Sequence, residues 1–162
     1  AFSSPIAMAL TSGREQGTAI LLPDGNVLVA GGFTRSATGA LAATNTTELF
    51  LVASGAFQFP RSTTTKTTMN VARANMTATL APNGNVLIAG GDSAVGGGGF
   101  LSTEVYSAST DTFAATNTVS LSFERAFATA ALLTNGQVLI AGGLVPSDGT
   151  GGTTNTTDLY TP

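Results

Sequence analysis

The chain of 162 residues contains no histidine, cysteine or tryptophan. Without imidazole and thiol groups it has no disulfide, no cysteine nucleophile, no Ser-His-Asp triad and no metal site built on those ligands. Charge is scarce as well: charged residues make up 9% of the chain, and six basic against nine acidic residues give a net charge of −3. This balance argues against nucleic acid or an anionic membrane as a partner, because both attract a basic patch.

Long apolar runs are absent too, and none approaches the roughly 18 to 20 residues that a membrane-spanning helix needs. The polar surface is built instead from hydroxyl and amide groups, because the chain has 27 threonines and 20 glycines. A surface so poor in charge favours an extracellular or cell-surface location. Carboxylate and carbonyl oxygens would suit Ca²⁺, but no known calcium-binding spacing is present, so we predict no cofactor and no metal site.

One string of eleven residues occurs three times. It reads LPDGNVLVAGG at 22–32, APNGNVLIAGG at 81–91 and LTNGQVLIAGG at 133–143. The copies are 59 and then 52 residues apart, and an arginine lies 17 residues before the first glycine of each closing pair. These arginines are Arg14, Arg73 and Arg125. A repeat of this length indicates an array of similar structural units.

Each unit is predicted to form four short antiparallel strands. A two-residue Asp-Gly or Asn-Gly turn joins the first two strands, because these residues supply the positive φ that a tight hairpin needs. The second strand, 86–89 in the middle unit, is apolar throughout, as expected of a strand buried on both faces. The third contains Thr-Glu-Val-Tyr at 103–106, and the fourth is centred on Phe113. Helical periodicity is absent, so the fold class is all-β, and four strands per unit are typical of propeller blades.

These motifs resemble Kelch repeats, in particular the bacterial type with a Leu-Pro-Asp-Gly turn and an Ala-Gly-Gly ending. The resemblance extends through one domain of residues 1–162, with units at roughly 2–56, 57–112 and 113–162. It implies a Kelch-type β-propeller segment of three blades, similar to the central propeller of galactose oxidase. The copper centre of that enzyme needs His and Cys ligands, so its activity does not carry over to this chain. Phe57 and Phe113 stand where the family usually has tryptophan.

Three blades do not close a ring, because propellers usually have four to eight. Phe2 aligns with Phe113, so the chain is expected to begin in a fourth strand and to end after a third. Three alternatives remain open. Two chains form a six-bladed homodimer in which each Phe2 strand completes the other chain's last blade, the chain is a fragment of a longer propeller with its missing blades elsewhere, or copies add head to tail into a filament.

The repeated arginines have two interpretations. In Kelch-like domains the loops before the first strand open onto the central channel, so Arg14, Arg73 and Arg125 would ring its mouth and bind a carboxylate or sulfate ligand. Alternatively, each arginine pairs with the acid of its own unit. Those acids are Glu48, Glu104 and Asp158. One arginine and one acid per unit favour this second interpretation.

Variable loops follow the glycine pairs at 33–46, 92–102 and 144–156, and such loops on a rigid scaffold often carry binding specificity. Their candidate ligand-binding residues can contact sugar hydroxyls or hold Ca²⁺ through oxygen atoms. They are Asp92, Asp148, Asn45 and Asn155.

The composition and the repeat lead to one prediction and two alternatives. We predict a non-catalytic extracellular module for binding or assembly, with a glycan or a protein as its partner. The first alternative is a structural filament or surface-layer component assembled by strand exchange. The second is a hydrolase or lyase that uses carboxylates alone, for which Glu15 and Glu124 lie beside repeat arginines.

Overall fold

The computed structural model describes residues 9–59, 67–95, 97–114, 119–145 and 152–162. In these ranges the protein is all-β, as predicted, and every strand pair is antiparallel. The strands are β1 (Thr18–Leu21), β2 (Val27–Ala30), β3 (Phe33–Arg35), β4 (Leu41–Ala43), β5 (Thr47–Leu51), β6 (Ala56–Gln58), β7 (Thr77–Leu80), β8 (Asn85–Ala89), β9 (Phe100–Ser107), β10 (Thr112–Phe113), β11 (Ser120–Arg125), β12 (Thr129–Leu132), β13 (Val138–Ala141), β14 (Leu144–Val145), β15 (Gly152–Thr153) and β16 (Thr157–Tyr160). The described ranges contain no helix of the length and apolarity needed to cross a membrane.

Three larger sheets follow one another along the chain. Sheet A has the strand order β1-β2-β5-β6, and sheet B has the order β10-β9-β8-β7, with β11 also paired to β9. Sheet C has the order β12-β13-β16. Sheets A and B therefore contain the four strands that the repeat predicts. The fourth strand expected for the last unit falls on Phe2, which lies outside the described residues.

The first two strands of each sheet form a hairpin, but its loop has three residues and not the predicted two. In sheet A the Leu22 N–H donates to the carbonyl of Asn26 at 2.8 Å, which leaves 23–25 in the loop. The Gly25 N–H donates to the carbonyl of Leu22 at 3.0 Å, and Gly25 itself has a φ of 86°. A turn followed by one left-handed glycine is the usual form of a three-residue hairpin loop.

The segments after the glycine pairs, predicted to be loops, contain short hairpins of their own. Strand β3 pairs with β4, and β14 pairs with β15. In the first of these hairpins Gly39 has a φ of 85°, and the Ser36 N–H donates to the Ala40 carbonyl at 2.9 Å. In the middle unit β9 already begins at Phe100, because its first residues pair with β11. The described parts of these segments thus contain more strand than their composition indicates.

The core consists of two layers of side chains between successive sheets. Both faces of β8 are buried, as its uninterrupted apolar sequence predicts. One face contributes Val86 and Ile88 to a cluster with residues of sheet A. The other contributes Leu87 and Ala89 to a cluster with residues of sheet C. Each fully buried side chain of this size stabilises the fold by about 1.5–3 kcal/mol.

Candidate functional site

Each of the three larger sheets binds the side chain of one buried arginine in the same kind of network. In sheet B, Nη1 of Arg73 donates to the carbonyl oxygens of Gly90 at 2.8 Å and Ser102 at 3.0 Å. Its Nη2 donates to the Ser102 hydroxyl and to Oε1 of Glu104, both at 3.0 Å. Neither side chain of the ion pair is exposed. Burial lowers the pKa of Arg73, and Glu104 opposes this shift.

Sheet A repeats this network around Arg14. Nη1 donates to the carbonyl oxygens of Gly31 at 2.9 Å and Thr46 at 3.1 Å, and Nη2 donates to Oε1 of Glu48 at 2.8 Å. Oε2 of the same carboxylate accepts the Thr11 N–H at 2.8 Å. Burial by itself raises the pKa of Glu48, but the hydrogen bonds from Thr11 and Arg14 outweigh it. The pKa of Glu48 therefore lies below its ordinary value.

Sheet C repeats the network with a shorter acid. Nη1 of Arg125 donates to the carbonyl oxygens of Gly142 at 2.8 Å and Thr156 at 3.1 Å, and Nη2 donates to Oδ2 of Asp158 at 2.7 Å. Ser122 donates to Oδ1 of Asp158 from its N–H at 2.9 Å and from its hydroxyl at 2.6 Å. The Asp158 side chain is 12% exposed, so this pair is the most open of the three.

The ion pairs expected from one arginine and one acid per unit are therefore present in all three sheets. The side chains of Arg14, Arg73 and Arg125 are 3%, 0% and 0% exposed, and their terminal nitrogens are occupied by protein oxygens. A carboxylate or sulfate in solution would have to displace these bonds inside the core to reach the guanidinium groups. Each of the three arginines thus has a structural role, and Arg14 also lines a cavity of about 350 Å³ together with Glu15 and Arg35.

The asparagine and aspartate candidates fall in different surroundings. Nδ2 of Asn45 donates to the Met69 carbonyl at 3.1 Å, so this side chain joins two segments of the fold. Asn155 is exposed and lines a cavity of about 520 Å³ together with Phe123, Val145, Thr153 and Thr154. Asp148 lies outside the described residues.

Asp92 is a buried acid with an amide as its partner. It is 2% exposed, and Nδ2 of Asn75 donates to its two carboxylate oxygens at 3.1 and 3.0 Å. Burial raises the pKa of Asp92, and the bond from Asn75 opposes the shift without cancelling it. The repeat places Asp92 in register with Phe33 and Leu144, so a charged group occupies a position that is apolar in the other units.

Three residues with a left-handed backbone, which we call the corner residues, were not predicted from the sequence. Gln16, Asn75 and Phe127 each lie 15 residues before the first glycine of a pair, and their φ angles are 57°, 55° and 57°. The Asn75 N–H donates to the Gln16 carbonyl at 3.0 Å, and the Phe127 N–H donates to the Asn75 carbonyl at 2.9 Å. The constant offset is a signal for this position, but the three side chains share no chemistry that would have revealed it.

Comparison with known proteins shows a likeness of fold. No family model matches the chain, and no curated protein matches it. One of the solved structures that match is that of YjhT, with a TM-score of 0.66 and 13% identity over 81% of this chain. The chain spans 45% of the length of YjhT. At this identity the likeness concerns the fold alone, and it supports the all-β arrangement of the sheets.

Glu15 and Glu124, the two carboxylates considered for catalysis, have different surroundings. Oε1 of Glu15 accepts a hydrogen bond from Nη2 of Arg35 at 3.3 Å in an exposed pair. No hydrogen bond or ion pair of Glu124 is found in the part of the chain that the structure describes. Nor do three or more acidic side chains come together there as a set of metal ligands. The absence of a cofactor stays a prediction.

Proposed function

We propose that this chain is a segment of a Kelch-type β-propeller that serves as a non-catalytic extracellular binding module, with a glycan as its ligand. Sheets A, B and C are its blades. The observation that carries this proposal is the buried arginine–carboxylate pair that recurs at the same place in every sheet. Because this pair recurs, the three sheets are copies of one structural unit. The arginine and the acid of each unit bind each other within the fold.

The order of contacts between the sheets supports a propeller. The first strands β1 and β7 contact each other, and so do β7 and β12. The first strand of each sheet therefore lies beside the first strand of the next. In a propeller the innermost strands of successive blades meet in this way around the central channel.

The placement of the acidic side chains supports a binding role over catalysis. Of three cavities, one is lined by Glu15, one by Asp24, and one by no acidic residue among those that the structure describes. Acid–base catalysis by carboxylates needs two such groups facing one bound substrate. The remaining acids that have structural partners are held by arginine, amide or hydroxyl groups of the fold.

The surface that follows the glycine pairs supports a hydroxyl-rich ligand. We call it the loop face, and it consists of the hairpins β3–β4 and β14–β15 with the corner residues. The tip of β3–β4 exposes Ser36 and Thr38, whose hydroxyl oxygens lie 2.8 Å apart. Phe127 is 54% exposed and adds an apolar ring. Hydroxyl groups and aromatic rings are the kinds of group that match the polar and apolar faces of a sugar.

A glycan array probed with the 162-residue protein tests this proposal. We expect binding to a neutral or weakly charged glycan, and a loss of about tenfold or more on replacing Ser36 and Thr38 with alanine, about 1.4 kcal/mol. Ser54→Ala provides the control, because Ser54 is exposed in the turn between β5 and β6, away from the loop face. An array without any binding, or an equal loss in the control, would overturn the proposal.

A further inference from the structure

The chain contains the same interface between sheets twice, and its backbone hydrogen bonds repeat in register. At the first interface the Gly32 N–H of sheet A donates to the carbonyl of Arg73 at 2.9 Å. At the second the Gly91 N–H of sheet B donates to the carbonyl of Arg125, also at 2.9 Å. Arg73 and Arg125 therefore each bind one sheet through the side chain and the preceding sheet through the carbonyl oxygen.

Two further bonds mark each interface. The corner residues form one of them, from the N–H of the later unit to the carbonyl of the earlier one. A threonine hydroxyl forms the other: Thr47 donates to the carbonyl of Thr67 and Thr103 to that of Val119, both at 2.6 Å. Three hydrogen bonds thus recur at both interfaces between successive units.

The outer side of sheet C carries one half of this interface, and the outer side of sheet A carries the other half. On sheet C the N–H of Gly143, the carbonyl of Phe127 and the hydroxyl of Thr157 have no hydrogen-bond partner among the described residues. On sheet A the carbonyl of Arg14 and the N–H of Gln16 also lack one within those ranges. The Gly143 N–H matches the Arg14 carbonyl, and the Gln16 N–H matches the Phe127 carbonyl, each in the register of the internal interfaces. The position that would match the Thr157 hydroxyl lies outside the described residues.

The apolar surfaces at the two ends are halves of the same interface as well. Leu49 of sheet A is 3% exposed because sheet B covers it, whereas its counterpart Leu159 on sheet C is 58% exposed. At the other end Leu21 of sheet A is 61% exposed, whereas its counterpart Leu80 packs into the core between sheets A and B. Each end therefore exposes a leucine whose counterpart is covered at the interface between sheets A and B.

The glycine pairs indicate that sheet C has room for an adjoining unit. A Cβ at Gly31 or Gly90 would collide with the carbonyl oxygen of the next arginine, Arg73 or Arg125. Among the described residues, a Cβ at Gly142 would meet no atom closer than the Thr154 carbonyl oxygen at 3.6 Å. The space beside Gly142 is therefore open where the other two units hold an arginine carbonyl, and Thr154 also lines the 520 Å³ cavity.

We propose that the outer face of sheet C docks onto the outer face of sheet A of a second copy of this chain. Gly143 N–H then donates to the partner's Arg14 carbonyl, and the partner's Gln16 N–H donates to the Phe127 carbonyl. The same contact forms twice, so two chains close a ring of six sheets, within the range of four to eight that propellers have. This inference rests on the propeller architecture proposed above. A second copy is the occupant because this chain carries both complementary halves.

The first test is the solution mass of the 162-residue protein, measured with two matched variants. We expect a species of twice the 16.1 kDa chain mass. Leu159→Asp and Leu21→Asp are both expected to lower the association constant at least about a hundredfold, which is about 2.7 kcal/mol. Both leucines are exposed in the single chain, so the variants should fold. Val52→Asp is the control, because Val52 is 61% exposed in the turn between β5 and β6 and lies away from both faces.

Mixing the two variants identifies which faces meet. In a mixed pair one interface combines both aspartates, and the other is formed entirely by wild-type faces. We therefore expect the mixture to recover a two-chain species that neither variant forms alone. If sheet C instead met sheet C of its partner, Leu21→Asp would assemble normally and the proposal would be wrong.

Amide exchange separates the failure of this inference from the failure of the architecture. In the two-chain species the amides of Gln16 and Gly143 are expected to be protected, and dilution to single chains should expose them. The amides of Gly32 and Gly91 should stay protected in both states, because their acceptors lie in the same chain. A monomer or an open polymer with Gly32 and Gly91 protected would overturn the closed pair and leave the three-sheet architecture intact. Loss of protection at Gly32 and Gly91 would overturn both proposals.

Discussion

The guanidinium of Arg73 and the carboxylate of Glu104 lie 3.0 Å apart, and neither side chain is exposed to solvent. The same carboxylate accepts the backbone N–H groups of Asn70 at 2.6 Å and Val71 at 3.0 Å. Replacing Glu104 with glutamine would leave the arginine charge buried without a counter-ion. We expect the free energy of unfolding, measured by urea denaturation, to fall by about 3–5 kcal/mol.

Sheet C provides the control for this prediction. Asp158→Asn removes the equivalent charge, but the Asp158 side chain is 12% exposed and water can solvate the remaining arginine. The loss of stability should therefore be clearly smaller than for Glu104→Gln. Equal losses in the two variants would contradict the assignment of Arg73 and Glu104 as the better-buried pair.

Glu48 is expected to make the fold sensitive to acid. Its pKa is lower in the folded chain than in the unfolded one, because hydrogen bonds from Thr11 and Arg14 favour the ionised form over the opposing effect of burial. Its contribution to stability is therefore complete above the unfolded pKa and is lost as the pH falls through the folded pKa. Glu48→Gln should flatten the stability profile in that acidic window, as measured by urea denaturation at a series of pH values. A variant with the slope of the wild type would show that other carboxylates cause it.

Asp92 is expected to have the opposite effect. Burial raises its pKa in the folded chain, so the ionised form opposes folding at neutral pH and protonation relieves this cost as the pH falls through the folded pKa. Asp92→Asn should therefore raise the melting temperature near pH 7, and the gain should disappear below the unfolded pKa. The exposed Asp24→Asn is the control and should show no such gain, because Asp24 accepts bonds from the N–H and Nδ2 of Asn26 in its turn.

Alanine at two equivalent glycines should separate folding from assembly. Gly90 and Gly142 have φ angles of 67° and 66°, so each substitution costs about 1–2 kcal/mol for the left-handed backbone. At Gly90 the added methyl group also collides with the Arg125 carbonyl, so the loss of stability should be larger. At Gly142 the methyl group has room in the single chain but would collide with the partner's Arg14 carbonyl. Gly142→Ala should therefore fold and fail to form the two-chain species, and calorimetry with native mass spectrometry would measure both effects.

The repeat allowed the strands of the larger sheets and the three ion pairs to be predicted. Strand alternation and the Asn-Gly turns are local signals. Each unit has one arginine 17 residues before its glycine pair and one acid in its Thr-Glu or Thr-Asp motif, which indicated which side chains would pair. The propeller interpretation and the glycan partner stay predictions, because composition constrains a ligand only to a broad class.

Other features could not be read in this way. The hairpin β3–β4 is short and lies among Ser, Thr and Gly residues, so its pairing leaves almost no pattern in the sequence. The hydrogen bond from Asn45 to the Met69 carbonyl joins segments 24 residues apart, and no local pattern indicates it. A ligand contact of Asn45 stays a prediction. The corner residues Gln16, Asn75 and Phe127 share a left-handed backbone conformation. Because their side chains differ, the sequence pattern does not indicate this shared conformation.

The segment from Thr67 to Arg73 belongs to two sheets at once. Its first carbonyl accepts the Thr47 hydroxyl of sheet A, its last carbonyl accepts the Gly32 N–H of that sheet, and the Arg73 side chain binds Glu104 of sheet B. Neither sheet can lose its structure without removing partners from the other. The nearest-neighbour coupling of a repeat protein is therefore strong in this chain, and the three sheets should melt in a single cooperative transition.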